Sequence, residues 1–471
     1  MRCGLRFSAP LRSVTVTLLG KRVAGRSVIV GLPAGAIAEA GWEKMTAHGQ
    51  SVVLEGTPRN TTATSGVQPD CAPTLLAPSP QPRQCAFVYS PEIEGLIYPP
   101  DCPFKTQRAP RTRAKITSFG LLGAPNSPEV AARRATIAEL EQVNSARYLD
   151  ELQRAAKGDL TAEGFLMGLG GPDTPVFKAM FEYGAWACGA GLVAADLLTS
   201  GKADIAFNLL GGFHHAMPAQ ASGFCYLNDV ALACDALTRA GKRVVYLDVD
   251  AHHGDGVQKI FYEQNDVFTI SMHESGKTLF PWGGFENEIG RGPGLGFNAN
   301  IPLPAEAHDE AFLEAFERVA LPLIGAYRPD AIVLELGMDT LAGDPLTHLQ
   351  MTNNIVVDVL HRLMDFRLPL LVAGGGGYHL EHTVRAWTLA WRTCLGEDEE
   401  DGQSMGLGGV MLGSSEWAGG LRDRQLPIPE PQRAAVNAEL QTTIDHLVRD
   451  VFPHHGLTPP PDASDSGRKG R

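Results

Sequence analysis

Residues 243–256 read RVVYLDVDAHHGDG, in which a short apolar run passes directly into a cluster of acidic and histidine side chains. The apolar half is rich in β-branched residues, which predicts a buried strand. Apolar side chains at nearly every position, rather than at alternate ones, are typical of a parallel sheet covered on both faces. We therefore expect this strand to lie inside an α/β domain and to end at a polar site.

Four more runs of the same kind support this fold class. Helical periodicity fills several of the gaps, as in DVALACDALTRA and DEAFLEAFERVALPLIGAY. Short apolar strands that alternate with helices predict an α/β fold of three layers around a central, mostly parallel sheet. The additional predicted strands are residues 203–210, 266–273, 330–337 and 369–376.

The side chains of chemical interest fall just beyond the predicted strands. His214 and His215 follow the run at 203–210, Asp339 follows 330–337, and Tyr378 comes after 369–376. In open parallel sheets, ligands bind outside the carboxyl ends of the strands. Scattered structural polar residues would not share this placement, so the sequence predicts one site at that edge.

The motif DVDAHHGDG predicts a metal site. Asp248, Asp250 and His252 are spaced by two, so on extended chain they share one face. Buried carboxylates beside an imidazole need neutralising, and a divalent cation does this well. Asp250 and His252 are candidate ligands, and Asp339 could supply the third of a catalytic site with an open position. The pair D-x-D alone would favour an ordinary capping turn.

The remaining motifs supply acid–base and oxyanion chemistry. Adjacent histidines such as His214 and His215 suit proton transfer near neutral pH, and Asp248 and Asp255 are free to orient them. Tyr378 follows four glycines and could present its hydroxyl to a developing oxyanion. An isolated histidine pair would be a surface accident, and an isolated glycine run a flexible turn. Together the parts predict hydrolysis by a metal-activated water.

Composition excludes some classes of function. The chain has 471 residues and a formal net charge of -13, which argues against direct binding to nucleic acid. No stretch has the roughly 18 apolar residues that a transmembrane helix needs. The eight cysteines form no C-x-x-C pair, and their scatter is typical of reduced thiols. We therefore expect a cytoplasmic protein without membrane association.

The two ends of the chain differ from the rest. Residues 1–83 begin with six Lys/Arg before the first acid, Glu39, and become rich in Pro, Ser and Thr. They predict a disordered extension, or an upstream start codon with the working protein beginning at Met45 or later; a transit peptide is disfavoured. We expect the catalytic domain at 84–456 and a disordered tail at 457–471.

Five long stretches resemble the histone deacetylase family. The likeness runs from about Ala86 to about Leu395. The HHAMP form is similar to the bacterial acetoin-utilisation branch, and GMDTLAGDPL is similar to class I. The stretches are GGFHHAMPAQASGFCYLNDVALA, VVYLDVDAHHGDGVQKIFY, SMHESGKTLFPWGG, LELGMDTLAGDPL and AGGGGYHLEHTVRAW.

This resemblance implies a fold and a catalytic set. The fold would be the arginase–deacetylase fold, with a parallel sheet of about eight strands. Zinc, or sometimes ferrous iron, would be bound by Asp250, His252 and Asp339. His215 would be the main general base and acid, and Tyr378 would polarise the acyl carbonyl. The full implied catalytic set is His214 held by Asp248, His215 held by Asp255, and Tyr378.

The resemblance also implies how substrate binds. Phe224 and Phe280 would sandwich the stem of an acyl-lysine, and Asp173 would hold the substrate backbone. Arg108 would line an acetate-release channel. A structural potassium ion would lie near Asp248, on backbone carbonyls that include those of Asp250, His252 and Ser271. The predicted substrate-binding residues are Asp173, Phe224, Phe280, Leu346 and Gly376.

Three functions compete at this point. The first is a deacylase acting on lysine side chains of proteins or peptides. The second is an amidase for small acetylated amines such as acetylpolyamines, whose specialised relatives place an acid where this chain has Leu346. The third is a binding protein without activity, which the complete catalytic set disfavours. Met217 and Pro218 replace two lysines that eukaryotic class I members carry after HHA. Oligomeric state is not predicted.

Overall fold

A computed structural model describes residues 83–397 and 420–458, together with the backbone of four short strands nearer the N-terminus. The chain divides into two units, Met1–Pro78 and Ser79–Arg471. In the first unit, β1 pairs with β2 and β3 with β4, both antiparallel. The predicted disordered ends fall largely outside the described residues. The four strands are Cys3–Arg6 (β1), Thr15–Leu18 (β2), Met45–Ala47 (β3) and Gln50–Val52 (β4).

The second unit is built on one eight-stranded sheet in which every neighbouring pair is parallel. This confirms the predicted α/β class and parallel sheet. The sheet order is β10-β9-β8-β11-β12-β7-β5-β6. The strands are Cys85–Tyr89 (β5), Glu129–Ala131 (β6), Ile205–Asn208 (β7), Val244–Asp248 (β8), Val267–Glu274 (β9), Asn298–Leu303 (β10), Ala331–Glu335 (β11) and Leu370–Ala373 (β12).

Every residue of the seven strands other than β6 is buried. Both faces of the sheet are therefore covered, and helices form the outer layers. The helices are Arg108–Ser118 (α1), Ile137–Leu140 (α2), Ala146–Ala156 (α3), Ala162–Leu166 (α4), Met180–Thr199 (α5), Asp229–Arg239 (α6), Asp255–Phe261 (α7), Asp309–Ala315 (α8), Leu321–Tyr327 (α9), Asn354–Asp365 (α10), Leu380–Cys394 (α11) and Glu430–Asp450 (α12). Helix α5 packs on α6 and β7, and α11 packs on α1 and α10. Within the described ranges, no helix combines the length and apolar character needed to cross a membrane.

The strand order reverses beside β8. From β8 the chain builds outward through β9 to β10, and then returns so that β11 pairs with the other side of β8. The segments that leave β8 and β11 therefore diverge and open a crevice at the carboxyl end of the sheet. In the paired register, the last residue of β8, Asp248, lies opposite the last residue of β11, Glu335. This switch point brings the two predicted ligand motifs side by side.

Candidate functional site

The three predicted metal ligands come together at the switch point. Asp250 and His252 lie in the turn after β8, and Asp339 lies in the loop after β11; the most exposed of them, His252, is 7% exposed. Nδ1 of His252 lies 2.9 Å from Oδ2 of Asp339 and 3.3 Å from Oδ1 of Asp250. One ligand atom from each residue lies within 4.8 Å of the others, so a single cation could contact all three.

Backbone amides fix both ligand carboxylates. The N–H of His252 donates to Oδ1 of Asp250 at 2.8 Å, and the N–H of Ala251 donates to Oδ1 of Asp339 at 2.9 Å. The N–H of Gly376 donates to Oδ2 of Asp250 at 2.5 Å. A Cβ at position 376 would lie only 2.0 Å from Oδ2 of Asp339, so only glycine fits there. The glycine run thus lets the backbone after β12 approach the carboxylates directly.

The electrostatics of this set call for a cation. Burial and the neighbouring Asp250 raise the pKa of Asp339 to about 7. Burial acts to lower the pKa of His252, but hydrogen bonds to Asp250 and Asp339 outweigh it and raise that pKa to about 10. Two carboxylate oxygens and one imidazole nitrogen form a donor set that suits zinc or ferrous iron. The residues present therefore fit the predicted metal.

The two predicted histidine–carboxylate pairs are both present. Nδ1 of His214 lies 2.9 Å from Oδ2 of Asp248, and Nδ1 of His215 lies 2.7 Å from Oδ1 of Asp255. An Nδ1–H that donates to a carboxylate fixes the tautomer and leaves Nε2 for chemistry. The two Nε2 atoms converge to 3.1 Å, and Nε2 of His214 lies 4.0 Å from Oδ1 of Asp250. Both reactive nitrogens thus lie beside the metal set.

The pKa values of the two imidazoles are driven apart. For His214, burial acts to lower the pKa, but the carboxylates of Asp248 and Asp250 prevail and raise it to about 9. For His215, burial and the adjacent His214 lower the pKa to about 4, against the opposing effect of Asp255. At neutral pH His215 is therefore a neutral imidazole able to accept a proton, whereas His214 is protonated.

Tyr378 lies beside the metal-ligand set. Its ring centroid is 6.2 Å from that of His252 and 5.9 Å from that of Phe224. Its backbone N–H donates to Oδ2 of Asp344 at 2.7 Å, which fixes the end of the glycine run. Burial and the nearby carboxylates of Asp339 and Asp250 raise the pKa of its hydroxyl well above the ordinary value. The phenol is therefore protonated and can donate a hydrogen bond.

The predicted substrate walls lie at the mouth of the crevice. The ring of Phe280 lies 5.1 Å from that of His215 and 6.5 Å from that of His252. Phe224 has a left-handed backbone with φ 66°, held by a hydrogen bond from its N–H to the carbonyl of Asp173 at 3.0 Å. The carboxylate of Asp173 also accepts from the N–H of Gly223 at 3.0 Å. Asp173 therefore positions Phe224, which is one of the predicted substrate walls.

Two further predicted residues adjoin the loop of Tyr378. Arg108 is 3% exposed; its Nη1 donates to the carbonyl of Gly377 at 3.0 Å, and its guanidinium lies over the rings of Phe104 and Trp387. Leu346 is half-buried, and its N–H donates to Oδ1 of Asp344 at 3.0 Å. A single carboxylate, that of Asp344, thus ties together the loops that carry Leu346 and Tyr378.

Sequence reasoning missed three residues of this site. Tyr246 donates its hydroxyl to Oδ2 of Asp248 at 2.7 Å, and Asp344 holds the Tyr378 loop. Glu335 is fully buried, and its carboxylate has no hydrogen-bond partner among the described residues. Burial and Asp248 raise the pKa of Glu335 well above its ordinary value. An acid in the interior of the apolar run 330–337 was the available signal for Glu335, whereas nothing in the sequence marked Asp344.

Glu335 also belongs to a second group of candidate ligand atoms. With His214 and Asp250 it forms a set whose atoms lie within 4.8 Å of one another, so both sets share Asp250. The first set is the stronger candidate for the catalytic ion, because His214 is already engaged by Asp248 at Nδ1. Its Nε2 faces His215, which suits proton transfer better than metal binding.

Known proteins resemble this chain over most of the second unit. The family model of the histone deacetylase domain matches residues 102–394. The acetoin utilization protein AcuC of Bacillus subtilis (strain 168) is 39% identical over 328 residues, which are 67% of this chain and 83% of that protein. Histone deacetylase 8 of Xenopus tropicalis is 38% identical over 292 residues, 62% of this chain and 78% of that protein.

Solved structures agree with this relationship. The crystal structure of an HDAC homolog from Aquifex aeolicus superimposes with a TM-score of 0.66 at 29% sequence identity, covering 77% of this chain and 99% of that one. The predicted eight-stranded arginase–deacetylase fold is thereby confirmed. The sequence motifs, the eight-stranded parallel sheet and the matched family model all agree. The chain belongs to the histone deacetylase family.

Proposed function

We propose that this protein is a zinc-dependent deacylase that removes acetyl or similar short acyl groups from lysine side chains of proteins. The observation that carries the proposal is the convergence of the two histidine Nε2 atoms, 3.1 Å apart, beside Asp250, His252 and Asp339. An acid–base pair next to a metal-ligand set is what amide hydrolysis requires. Relatives that are named deacetylases support the same chemistry.

Each catalytic side chain then has a distinct task. A divalent cation held by Asp250, His252 and Asp339 supplies Lewis acidity for the acyl carbonyl and the attacking water. His215, neutral at pH 7, accepts the proton of the water at Nε2 while Asp255 holds its Nδ1–H. The histidine pair later returns a proton to the leaving amine nitrogen. Tyr378 donates its hydroxyl to the carbonyl oxygen as negative charge develops there.

The mouth favours a lysine side chain over a polyamine. Phe224 and Phe280 offer apolar ring faces to a neutral four-carbon stem, and the carboxylate of Asp173 can accept hydrogen bonds from peptide N–H groups. Leu346 offers no charge partner for the second ammonium group of a polyamine. The pocket therefore gives no specific stabilisation to a small dicationic amine.

The remaining assignments belong to the same proposal. Arg108 is a buried cation behind Tyr378 and is suited to the departing acetate. Ferrous iron would use the same donors as zinc. Potassium near Asp248 would offset part of the negative charge of that buried carboxylate.

A substrate panel on metal-reconstituted protein tests the proposal. Protein stripped by chelation and reloaded with zinc or ferrous iron is assayed on acetyl-lysine peptides, on peptides with longer acyl groups, and on acetylspermidine and acetylputrescine. We expect activity only after reloading, with the highest kcat/KM on an acyl-lysine peptide. Full activity of metal-free protein would contradict the metal role. A preference of tenfold or more for an acetylpolyamine would replace lysine with the small-amine substrate.

A further inference from the structure

A groove separate from the catalytic crevice opens between the end of α3 and the beginning of α5. It has a volume of about 710 Å³, within the usual range of ligand sites. Its apolar lining includes Val176, Phe177 and Phe181, and its rim carries three cationic side chains, those of Arg134, Lys157 and Lys178. These six residues define what is called here the basic groove.

The basic groove adjoins the mouth of the catalytic crevice. Val176 follows the rim residue Asp173 by three positions, which is at most about 11 Å of extended chain. The ring of Phe177 lies 4.7 Å from that of Tyr98, whose hydroxyl donates to the carbonyl of Phe224 at 3.1 Å. One aromatic residue, Tyr98, therefore links the lining of the groove to the wall of the substrate slot.

The charge of the basic groove is opposite to that of the chain. Arg134 pairs with Glu182 at 2.9 Å, and both side chains are exposed. Lys157 and Lys178 are exposed and make no ion pair with any residue that the structure describes. The N-terminal end of the 20-residue helix α5 adds partial positive charge. The groove therefore carries a surplus of positive charge, although the formal net charge of the chain is -13. A generally basic composition cannot explain this surplus.

We propose that the basic groove binds an acidic segment of the protein substrate that flanks the acylated lysine. This inference rests on the proposed lysine deacylase activity and adds a sequence preference to it. Lys157 and Lys178 would pair with Asp or Glu side chains, and Phe177 would contact an apolar side chain next to them. Because the groove begins three residues from Asp173, the recognised acids lie about two to four residues from the acyl-lysine.

Peptide kinetics test this preference. A set of acetyl-lysine peptides carries Glu or Asp with a neighbouring Leu at each position from one to five residues on either side, and each is matched by its Gln or Asn isostere. We expect KM to be about five- to tenfold lower for the acidic peptides at one or two of these positions, with kcat unchanged, as for two partly exposed ion pairs. Raising NaCl from about 0.05 M to about 0.5 M should shrink the preference.

Charge reversal in the groove supplies the mutational arm. The double variant Lys157→Glu/Lys178→Glu should lose the acidic preference, or invert it, while hydrolysis of a peptide with neutral flanks stays at the wild-type rate. The control Lys202→Glu/Lys259→Glu makes the same change in net charge at two exposed lysines outside the groove lining. The control should keep the preference, and thermal melting of all variants shows whether they are folded.

The outcomes separate this inference from the proposed function. Hydrolysis of acyl-lysine peptides with no effect of acidic flanks overturns the groove and leaves the deacylase intact. No hydrolysis of any acyl-lysine peptide overturns the proposed function itself. Equal loss of the preference in the groove variant and the control means that overall charge, not the groove, selects the substrate, and this also overturns the inference.

Discussion

The metal-ligand set forms the floor of the site, where Asp250 and Asp339 are at most 1% exposed. Their carboxylates accept hydrogen bonds from backbone N–H groups in the turn after β8 and in the glycine run after β12. At the mouth, Asp173 and Phe224 are half-buried and lie on loops outside the sheet, joined by hydrogen bonds from the N–H groups of Gly223 and Phe224 to Asp173. The floor is fixed by the sheet, and little in it can vary without loss of the reaction. The mouth can vary in side chain without disturbing the sheet, so we expect it to set selectivity.

The largest effect should come from removing one of the predicted metal ligands at the floor, which tests whether the floor is essential for the reaction. Asp250→Ala leaves two ligands, which make a poor metal site, so we expect loss of bound metal and a fall in activity of more than about 10³-fold. Metal content by mass spectrometry and kcat/KM on an acetyl-lysine peptide measure both effects. Asp150→Ala, at an exposed position on α3, is the control and should match wild type. Normal metal content in Asp250→Ala would remove that residue from the ligand set.

The next largest effect should come from Tyr378, where the floor meets the mouth. Tyr378→Phe removes one oxyanion donor, which costs about 10²–10³ in kcat, or roughly 3–4 kcal/mol. Metal content and melting temperature should stay normal. Tyr327→Phe removes another buried hydroxyl, one that donates to the carbonyl of Asn265 at 3.0 Å, and should lower only stability, by about 1 kcal/mol. A near wild-type kcat for Tyr378→Phe would make that tyrosine structural.

A smaller change is expected at the mouth itself. Leu346→Glu places a carboxylate where a polyamine's second ammonium group could pair with it, so the ratio of kcat/KM for acetylspermidine to that for an acetyl-lysine peptide should rise about tenfold. Leu346→Gln, of similar shape but without charge, should change the ratio little. An unchanged ratio in Leu346→Glu would show that this position does not face the substrate.

The smallest effect should come from deleting the first unit. Arg83 donates to the carbonyl of Met364, and the backbone of Gln84 bonds to Asp204, so the truncation should begin at Ser79 rather than at the predicted boundary. We expect wild-type kcat/KM and a melting temperature within about 2 °C, since 1 kcal/mol moves the melting temperature by about 2–4 °C in a domain of 150–250 residues and by less in a larger one. Loss of soluble protein would mean that residues 1–78 contribute to folding.

The sequence predicted five of the eight strands of the sheet and missed β5, β6 and β10. β5 reads CAFVY and is as apolar and buried as the predicted runs, but it was not predicted. The five predicted runs correspond to β7, β8, β9, β11 and β12, each within a few residues. β10 reads NANIPL, and its two asparagines interrupt the apolar pattern that would predict a buried strand. In the structure, the side-chain amide of Asn300 donates a hydrogen bond to Oε1 of Gln258. β6 has only three residues and is partly exposed, so no periodicity could reveal it. A polar side chain in a short segment favours the prediction of a loop, but a partner distant in sequence can satisfy its hydrogen bonds inside a strand.

The site divides in the same way. Asp250, His252 and the histidine pair could be predicted, because a strand that ends in buried acids and imidazoles needs a cation or a proton-transfer role wherever it lies. Asp344 could not, since its carboxylate matters because it joins its own loop, which carries Leu346, to the distant loop of Tyr378. Phe224 and Phe280 came from family resemblance, and the structure places their rings beside Tyr378 and His215.

The sequence by itself determined which chemical groups end the five predicted strands and that these strands are buried on both faces. Only the tertiary structure decided that β11 returns to the side of β8, which brings Asp339 to 2.9 Å from His252 across 87 positions of chain. It also placed His214 beside Asp248 and Asp250, which raise its pKa, and buried His215 beside His214, which lowers the pKa of His215. The physical reason is that burial and periodicity are local properties of the chain. Strand order and the field between buried charges depend on which distant segments pack together.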